Sequence, residues 1–439
     1  MASWGMFSRF SRGARFLVVI TLLPFSLGAQ DQDKAAEFTR QLQQGLLKCD
    51  LDPLVKLPDV FSVTPDQLDA LFAVPDGVQV KKNPLFAWMT TNRERAVFMR
   101  QPFSNVRIDF SLFGGAVPAE EVVVDFIDGK LNGISFSLYN RGDSGDIESE
   151  EFQARFKLCG QKMGELLQTR PSARKANPTQ GLLLEGWAWI SPKGMALLEQ
   201  NPEATTGKPE FLRLKVAPRT AKGAFAAAFQ DRASAVKLSD LPKNVVRTPE
   251  GEVFIKGIPM VDQGPKGYCV VASAQRLFEY YGIPADQHQI AQVAGSDAQR
   301  GTSSKAMSEA LGKIDYRFKT RFKILGMITN AGTLAEVDGR KMTVGKTLSE
   351  GDFVKAIRTY IDDGIPLLWG LELGSYPEEP AIAQQTGGGH MRMIIGYDDK
   401  DGKVLFSDSW GAGHEKKRMT YSNAFLATHG LFAMFPTVH

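Results

Sequence analysis

The chain has little cysteine and little histidine: three Cys and five His in 439 residues. Three Cys are too few for a disulfide scaffold, and an odd count leaves one thiol over. No Cys or His pair has zinc-site spacing, and no Gly-rich loop of the phosphate-cradling kind occurs. Asp398, Asp399 and Asp401 lack the spacing of an EF-hand loop and read as a polar hairpin turn. Neither a metal nor a cofactor is therefore expected. Charge of one sign is also lacking. The 52 basic and 49 acidic residues leave a net +3, with no long single-sign run. That excludes a nucleic-acid footprint built on bulk charge, and attachment to an anionic membrane by charge alone. After residue 29 no apolar run is long enough to cross a bilayer. Internal repeats and low-complexity tracts are absent.

The start of the chain is different. Arg9, Arg12 and Arg15 precede the apolar run Phe16 to Phe25, and small residues follow up to Ala29. A basic start, a short apolar core and a small-residue end are the parts of a secretory signal peptide. Residues 1–29 are read as a leader for export, to a periplasmic or extracellular location. The alternative is an uncleaved anchor, against which stand Pro24 and the shortness of the run. No Cys follows to take a lipid. Without these residues the chain loses three positive charges and no negative one, and is formally neutral. No stable membrane association is expected after their removal.

Hydrophobic content of 43% with 28 Phe is enough for substantial cores, and the length suits two to three globular units. Residues 34–48 read as a helix with Phe38, Leu42 and Leu46 on one stripe. Between about 84 and 140 the pattern turns to strands, with Val106 to Leu112 and Gly133 to Tyr139 alternating with period two. Residues 148–168 return to a helical stripe through Phe152, Phe156, Cys159 and Leu166. Strand-like runs follow at Leu182 to Ile190 and Phe211 to Val216. Residues 30–218 are thus an α+β domain without a cluster of chemically suggestive side chains. Residues 219–255 read as a linker, with the boundary near 240, and residues 256–439 as a second domain. Pairing Cys49 with Cys159 would leave Cys269 free; two buried thiols are the equal alternative.

The informative stretch runs from Val261 to Gly282. Gln263, Gly264 and Gly267 lead through a Pro-containing turn to Cys269. An amphipathic pattern then begins at once, through Val270, Val271, Ala274, Leu277, Phe278 and Tyr281, and Gly282 with Pro284 stops it. Cys269 thus opens a helix, where unsatisfied N–H groups and the positive dipole end favour thiolate. Gln263 offers an amide N–H₂ toward the same space as the Cys269 backbone N–H, and two such donors make an oxyanion hole. The base is sought among His288, His390, His414, His429 and His439. His390 follows Gly387-Gly-Gly389 and opens the strand His390 to Tyr397, while the next strand, from Lys403, leads into Asp408-Ser-Trp-Gly411. A turn at 398–402 would bring Asp408 beside His390, to orient the ring and fix its tautomer. The other four His have no arguable partners and read as surface residues. Trp410 reads as packing.

These residues resemble the papain-like cysteine peptidases. The resemblance rests on Gln263-Gly264-x-x-Gly267-x-Cys269, on His390 before an apolar strand ending in Gly396-Tyr397, and on Asp408-Ser409-Trp410-Gly411. It implies, in that order, an oxyanion-hole Gln and nucleophilic Cys, a general-base His, and a third residue that holds the His. Trp410 would shelter that last pair from water. Two positions depart from the pattern: Val270 stands where an aromatic commonly follows the Cys, and Asp408 where Asn is usual. An Asn at 408 is accordingly expected to preserve the geometry in part. The Asp, the compact domain and Gly301-Thr302 bring the sequence nearer the bacterial branch typified by double-glycine leader peptidases. The match spans residues 256–439, and residues 30–218 lack a helical inhibitory-prodomain pattern. The resemblance implies a papain-like α+β domain, a helical half carrying Cys269 and an antiparallel half carrying His390. The expected activity is hydrolysis of peptide or protein substrates by the Cys269–His390–Asp408 triad with Gln263. Another thiol acyl transfer (a cell-wall peptide amidase, a transglutaminase-like exchange) and a catalytically silent binding protein are the alternatives. The sequence carries no reading of oligomeric state.

Overall fold

A computed structural model describes residues 29–100, 106–176, 183–230, 236–263, 268–285, 290, 309, 311–312, 315–327, 348–382 and 388–438. Residues 1–28 of the expected leader, the turn 264–267, His288, Gly301-Thr302, Gly387 and His439 lie outside them. The architecture is α+β. Among the described residues no helix is long and apolar enough to cross a membrane.

The N-terminal part opens with a helix, Ala29–Gln44, that stops before Gly45, where φ is +72°. The helix expected over 34–48 therefore ends early. Leu46–Asp50 is a strand instead, because it pairs in parallel with Arg107–Leu112. Cys49 thus sits on a strand, not at the end of a helical stripe. Arg107–Leu112 keeps the alternation its sequence shows, with Ile108, Phe110 and Leu112 buried. Lys130–Asn140 does not, and is buried almost throughout. It lies inside an eight-stranded antiparallel sheet, between Glu121–Ile127 and Phe211–Ala217, and both faces are covered. The helix Ser149–Leu167 packs on this sheet through Phe152, Phe156, Cys159 and Met163.

Residues expected as a linker are only partly that. Gly223–Gln230 is a helix, and Leu241 belongs to the C-terminal core. Val245–Arg247 and Glu252–Ile255 form a hairpin, and Glu252–Ile255 pairs with Gly389–Asp398, the strand that begins at His390. The turn residues at 248–251 punctuate a hairpin rather than a connector. The C-terminal sheet is antiparallel throughout. From Glu252–Ile255 it continues through Gly389–Asp398, Leu367–Glu372 and Thr428–Pro436 to Thr320–Met327. On the other side of the histidine strand, Gly389–Asp398, lie Lys403–Ser407 and then Lys417–Thr420. Gly396 has a definite reason to be glycine: a Cβ there would stand 2.4 Å from the carbonyl oxygen of Val253. The backbone of Glu252–Ile255 can lie against the histidine strand only because that side chain is missing.

The cysteine helix, Cys269–Tyr280, packs across this sheet with Val271, Ala274, Leu277 and Phe278 fully buried. Two polar ties fix its position. Ser273 Oγ donates to the Met391 carbonyl at 3.3 Å, and buried Arg276 donates to the Pro259 carbonyl at 2.7 Å and to Ser407 Oγ at 2.5 Å.

Two hydrophobic cores result, one built from residues between Leu47 and Val216, the other from residues between Leu241 and Met434. A small separate apolar cluster, Met89, Val97 and Met260, draws on both parts of the chain.

Candidate active site

Three chain segments converge at the end of the histidine strand, an interior strand of the C-terminal sheet. Cys269 is the first residue of its helix and is half-buried, with Tyr268 before it fully covered. His390 enters from the histidine strand, opposite Leu371 of Leu367–Glu372. Asp408 lies just past the strand Lys403–Ser407, whose Ser407 pairs with Met393. That register sets Asp408 level with the first residues of the histidine strand, as the turn at 398–402 required. The turn is polar, as expected: the Asp398 carboxylate caps the N–H groups of Lys400 and Asp401.

His390 Nε2 and Asp408 Oδ1 are 2.7 Å apart, and both side chains are buried. The ring's other nitrogen, Nδ1, is not taken up by Asp408, and Cys269 lies close enough to His390 to favour its charged form. Burial disfavours a charged imidazole. The hydrogen bonds and negative charge of Asp408 and Cys269 outweigh it and push the His390 pKa up to about 9. Burial likewise works against ionised Asp408, but His390, Arg392 and the Ser409 N–H hold it well below the usual carboxylate range. Both shifts favour a protonated imidazole beside an anion at neutral pH.

Gln263 is pinned by Ser409 at two points. Its backbone N–H donates to the Ser409 carbonyl at 3.1 Å, and its side-chain oxygen accepts from Ser409 Oγ at 2.8 Å. With Oε1 so occupied, the amide turns its N–H₂ end as the donor. Trp410 stacks on His390, ring centroids 5.0 Å apart and planes at 29°, and covers the imidazole. The structure thus places Cys269, His390 and Asp408 together, and ties Gln263 to Ser409, the residue after Asp408.

Other partners had not been singled out. Arg392, fully buried, donates from Nε to Asp408 Oδ2 at 2.6 Å and from its other nitrogens to Glu378 at 2.6 and 3.3 Å. Buried Lys417 completes the group as an ion-pair partner of Glu378. A signal existed: Arg392 is a charge inside the apolar run His390 to Tyr397, where only a paired charge is tolerated. His414, expected at the surface, is half-buried with its ring edge-on to Trp410 at 5.5 Å. Its carbonyl accepts from the Asp408 N–H, and burial, then Lys417, lowers its pKa. His429, also expected at the surface, is half-buried, with Nε2 3.2 Å from a carboxylate oxygen of Glu372. Among the described residues no group of His, Cys, Asp and Glu could hold a metal ion. The Cys49 and Cys159 thiols are both free and buried, one on a strand and one inside a helix. That outcome follows the buried-thiol alternative rather than the disulfide.

The Peptidase_C39 like family matches residues 255–431, less than half of the chain. Among solved structures, the chain is similar to the peptidase domain of Streptococcus ComA, a bi-functional ABC transporter involved in a quorum-sensing pathway. That match has 13% identity and a TM-score of 0.25, and covers 41% of this chain and 99% of that one. Xylellain, a cysteine protease from Xylella fastidiosa, matches at 15% identity and a TM-score of 0.27, over 46% of this chain and 91% of that one. No curated protein matches.

Proposed function

Because residues 255–431 are similar to the Peptidase_C39 like family of papain-like cysteine peptidases, we propose that the chain is an exported cysteine peptidase. It hydrolyses peptide bonds through Cys269, His390 and Asp408, with Gln263 in the oxyanion hole. The observation that carries this is His390 hydrogen-bonded to Asp408 on one side and close to Cys269 on the other, with Cys269 at the start of a helix. An imidazolium on one side of the sulfur and a helix start on the other stabilise a thiolate.

The Cys269 thiolate adds to the substrate carbonyl carbon. The oxygen, now anionic, is held by the Cys269 backbone N–H and the Gln263 amide. The intermediate collapses to a thioester as the C–N bond breaks, and the imidazolium gives its Nδ1 proton to the departing amine. Neutral His390 then takes a proton from water, whose hydroxyl attacks the thioester. The acid product leaves and the thiolate–imidazolium pair returns. Asp408 holds the imidazole upright through Nε2, and Trp410 keeps water off that bond. The substrate is a peptide or protein. The leader in residues 1–29 would deliver the enzyme to the periplasm or beyond, without stable membrane association once removed. Residues 30–218 would form a separate domain.

A thiol-directed epoxide read by intact mass tests this directly. The wild-type protein should take one adduct at Cys269, and a peptide library should yield cleaved bonds. Cys269→Ala should lose both while keeping its stability within about 1–2 kcal/mol. Unchanged hydrolysis by that variant sinks the reading.

A further inference from the structure

Asp408 is met by donors on both oxygens. Oδ1 accepts from His390 Nε2 and from the Ser409 N–H at 2.8 Å, and Oδ2 accepts from Arg392 Nε at 2.6 Å. Beyond Arg392 lie Glu378, gripped by the guanidinium, and Lys417. Arg392, Glu378, Lys417 and Asp408 are each at most 2% exposed in their side chains. Within this buried cluster Arg392 and Lys417 face Asp408 and Glu378, and the Cys269–His390 pair adds one charge of each sign or neither. Arg276 and His414 also face the cluster: Arg276 adds a third buried cation, donating from two of its nitrogens to Pro259 and Ser407 while Nη1 has no hydrogen-bond partner. Removing one member of such a set strands a charge.

We propose that Arg392 is a positioning residue, bridging Asp408 to Glu378, that makes aspartate rather than asparagine the required partner of His390. This rests on the peptidase reading above and deepens it. A carboxylate accepts at both ends, whereas an amide accepts at one end and donates at the other. With its oxygen toward His390, an Asn at 408 sets its N–H₂ against the Arg392 Nε–H, donor against donor. Turned round, it donates to His390 Nε2 and leaves the ring proton on Nδ1, the nitrogen that must receive a proton from Cys269. In both orientations Arg392 and Lys417 are left facing Glu378 alone. The proposal thus departs from the expectation that an Asn here preserves the geometry in part.

The test uses the full-length protein and two readouts: peptide turnover, and the pH dependence of Cys269 alkylation by iodoacetamide, followed by intact mass. Alkylation needs no substrate. A wild-type protein that alkylates normally but cleaves no peptide ends the peptidase reading and leaves this inference open to decision. Asp408→Asn should lower neutral-pH alkylation, and kcat by about 10²-fold or more, as loss of an oriented base does. Adding Arg392→Gln places an amide oxygen near the former Nε and removes one cation to match the lost anion, so the double variant should regain about ten-fold. Adding Arg392→Lys, which keeps the charge, should not. An Asp408→Asn protein with a wild-type profile overturns the proposal, as does a folded double variant no faster than Asp408→Asn. If the double variant melts below the assay temperature, the Asp408→Asn profile decides alone.

Discussion

Arg95 and Glu279 are 184 residues apart in the chain, yet Nη2 of one donates to Oε2 of the other at 2.7 Å, both side chains 12–13% exposed. Arg95 stands on the N-terminal sheet, where it also binds Asp125. Glu279 stands near the end of the cysteine helix. The same guanidinium donates to the Met260 carbonyl at 2.8 Å, three residues before Gln263. One side chain thus ties the N-terminal sheet to the helix that begins at Cys269 and to the segment that carries Gln263.

Replacing Arg95 by Met should leave Asp125 and Glu279 as two uncompensated carboxylates. The expected cost is about 3–5 kcal/mol in a urea melt. Adding Asp125→Asn and Glu279→Gln should recover part of it. A single variant as stable as wild type would show that this contact holds nothing together.

The state of His390 sets a pH window. Its folded pKa of about 9 lies above the ordinary imidazole value. The stabilisation it adds is therefore complete below about pH 6.5 and is lost as pH rises through about 9. Melts taken across that range should fall by up to about 3 kcal/mol, and His390→Gln should flatten the curve. The alkaline limb of kcat/KM should lie in the same region, because the proposed mechanism uses the imidazolium as the acid for the leaving amine. A stability profile of wild type that stays flat from about pH 6.5 to 10 contradicts the shift.

Thiol counting separates the three Cys. Burial pushes the Cys49 and Cys159 thiols up to about 12, so neither offers appreciable thiolate near neutral pH. In the native protein only Cys269 should react quickly with a disulfide reagent. Denatured and unreduced, the chain should show three titratable thiols, and a count of one would reinstate the disulfide.

Much of the site was legible because each piece carries its own local grammar. Cys269 stands where an amphipathic run begins, and His390 and Asp408 flank two apolar runs joined by a polar turn, so register alone brought them level. The residues behind them were harder to see. Arg392 was visible as a charge in an apolar strand, but Glu378 and Lys417 come from segments with no pattern linking them. The same holds for the fold. Arg107–Leu112 has one covered face and reads by alternation, whereas Lys130–Asn140, covered on both, hides its period. The strand nature of Leu46–Asp50 depends on a partner more than fifty residues away, which no local propensity records.

Gly396→Ala probes the close approach of two strands. Its new methyl would meet the Val253 carbonyl and the Phe254 backbone. Overpacking of this kind costs about 1–3 kcal/mol, and the cost should appear as faster hydrogen exchange in Glu252–Ile255. Unchanged stability and exchange would mean the hairpin yields freely.

The hairpin at 245–255 also decides where this chain can be cut. A fragment begun at residue 256 would look complete by its catalytic motifs, since Gln263, Cys269, His390 and Asp408 all lie beyond that point. It would lack the strand that covers Gly396 to Asp398 on one side. Bare amides and carbonyls there invite another molecule to add a strand, so such a fragment should self-associate rather than stay monomeric. Proteolytic trimming of the N-terminal part has to stop before Leu238, whose N–H is held by the carbonyl of Val438 at the far end of the chain.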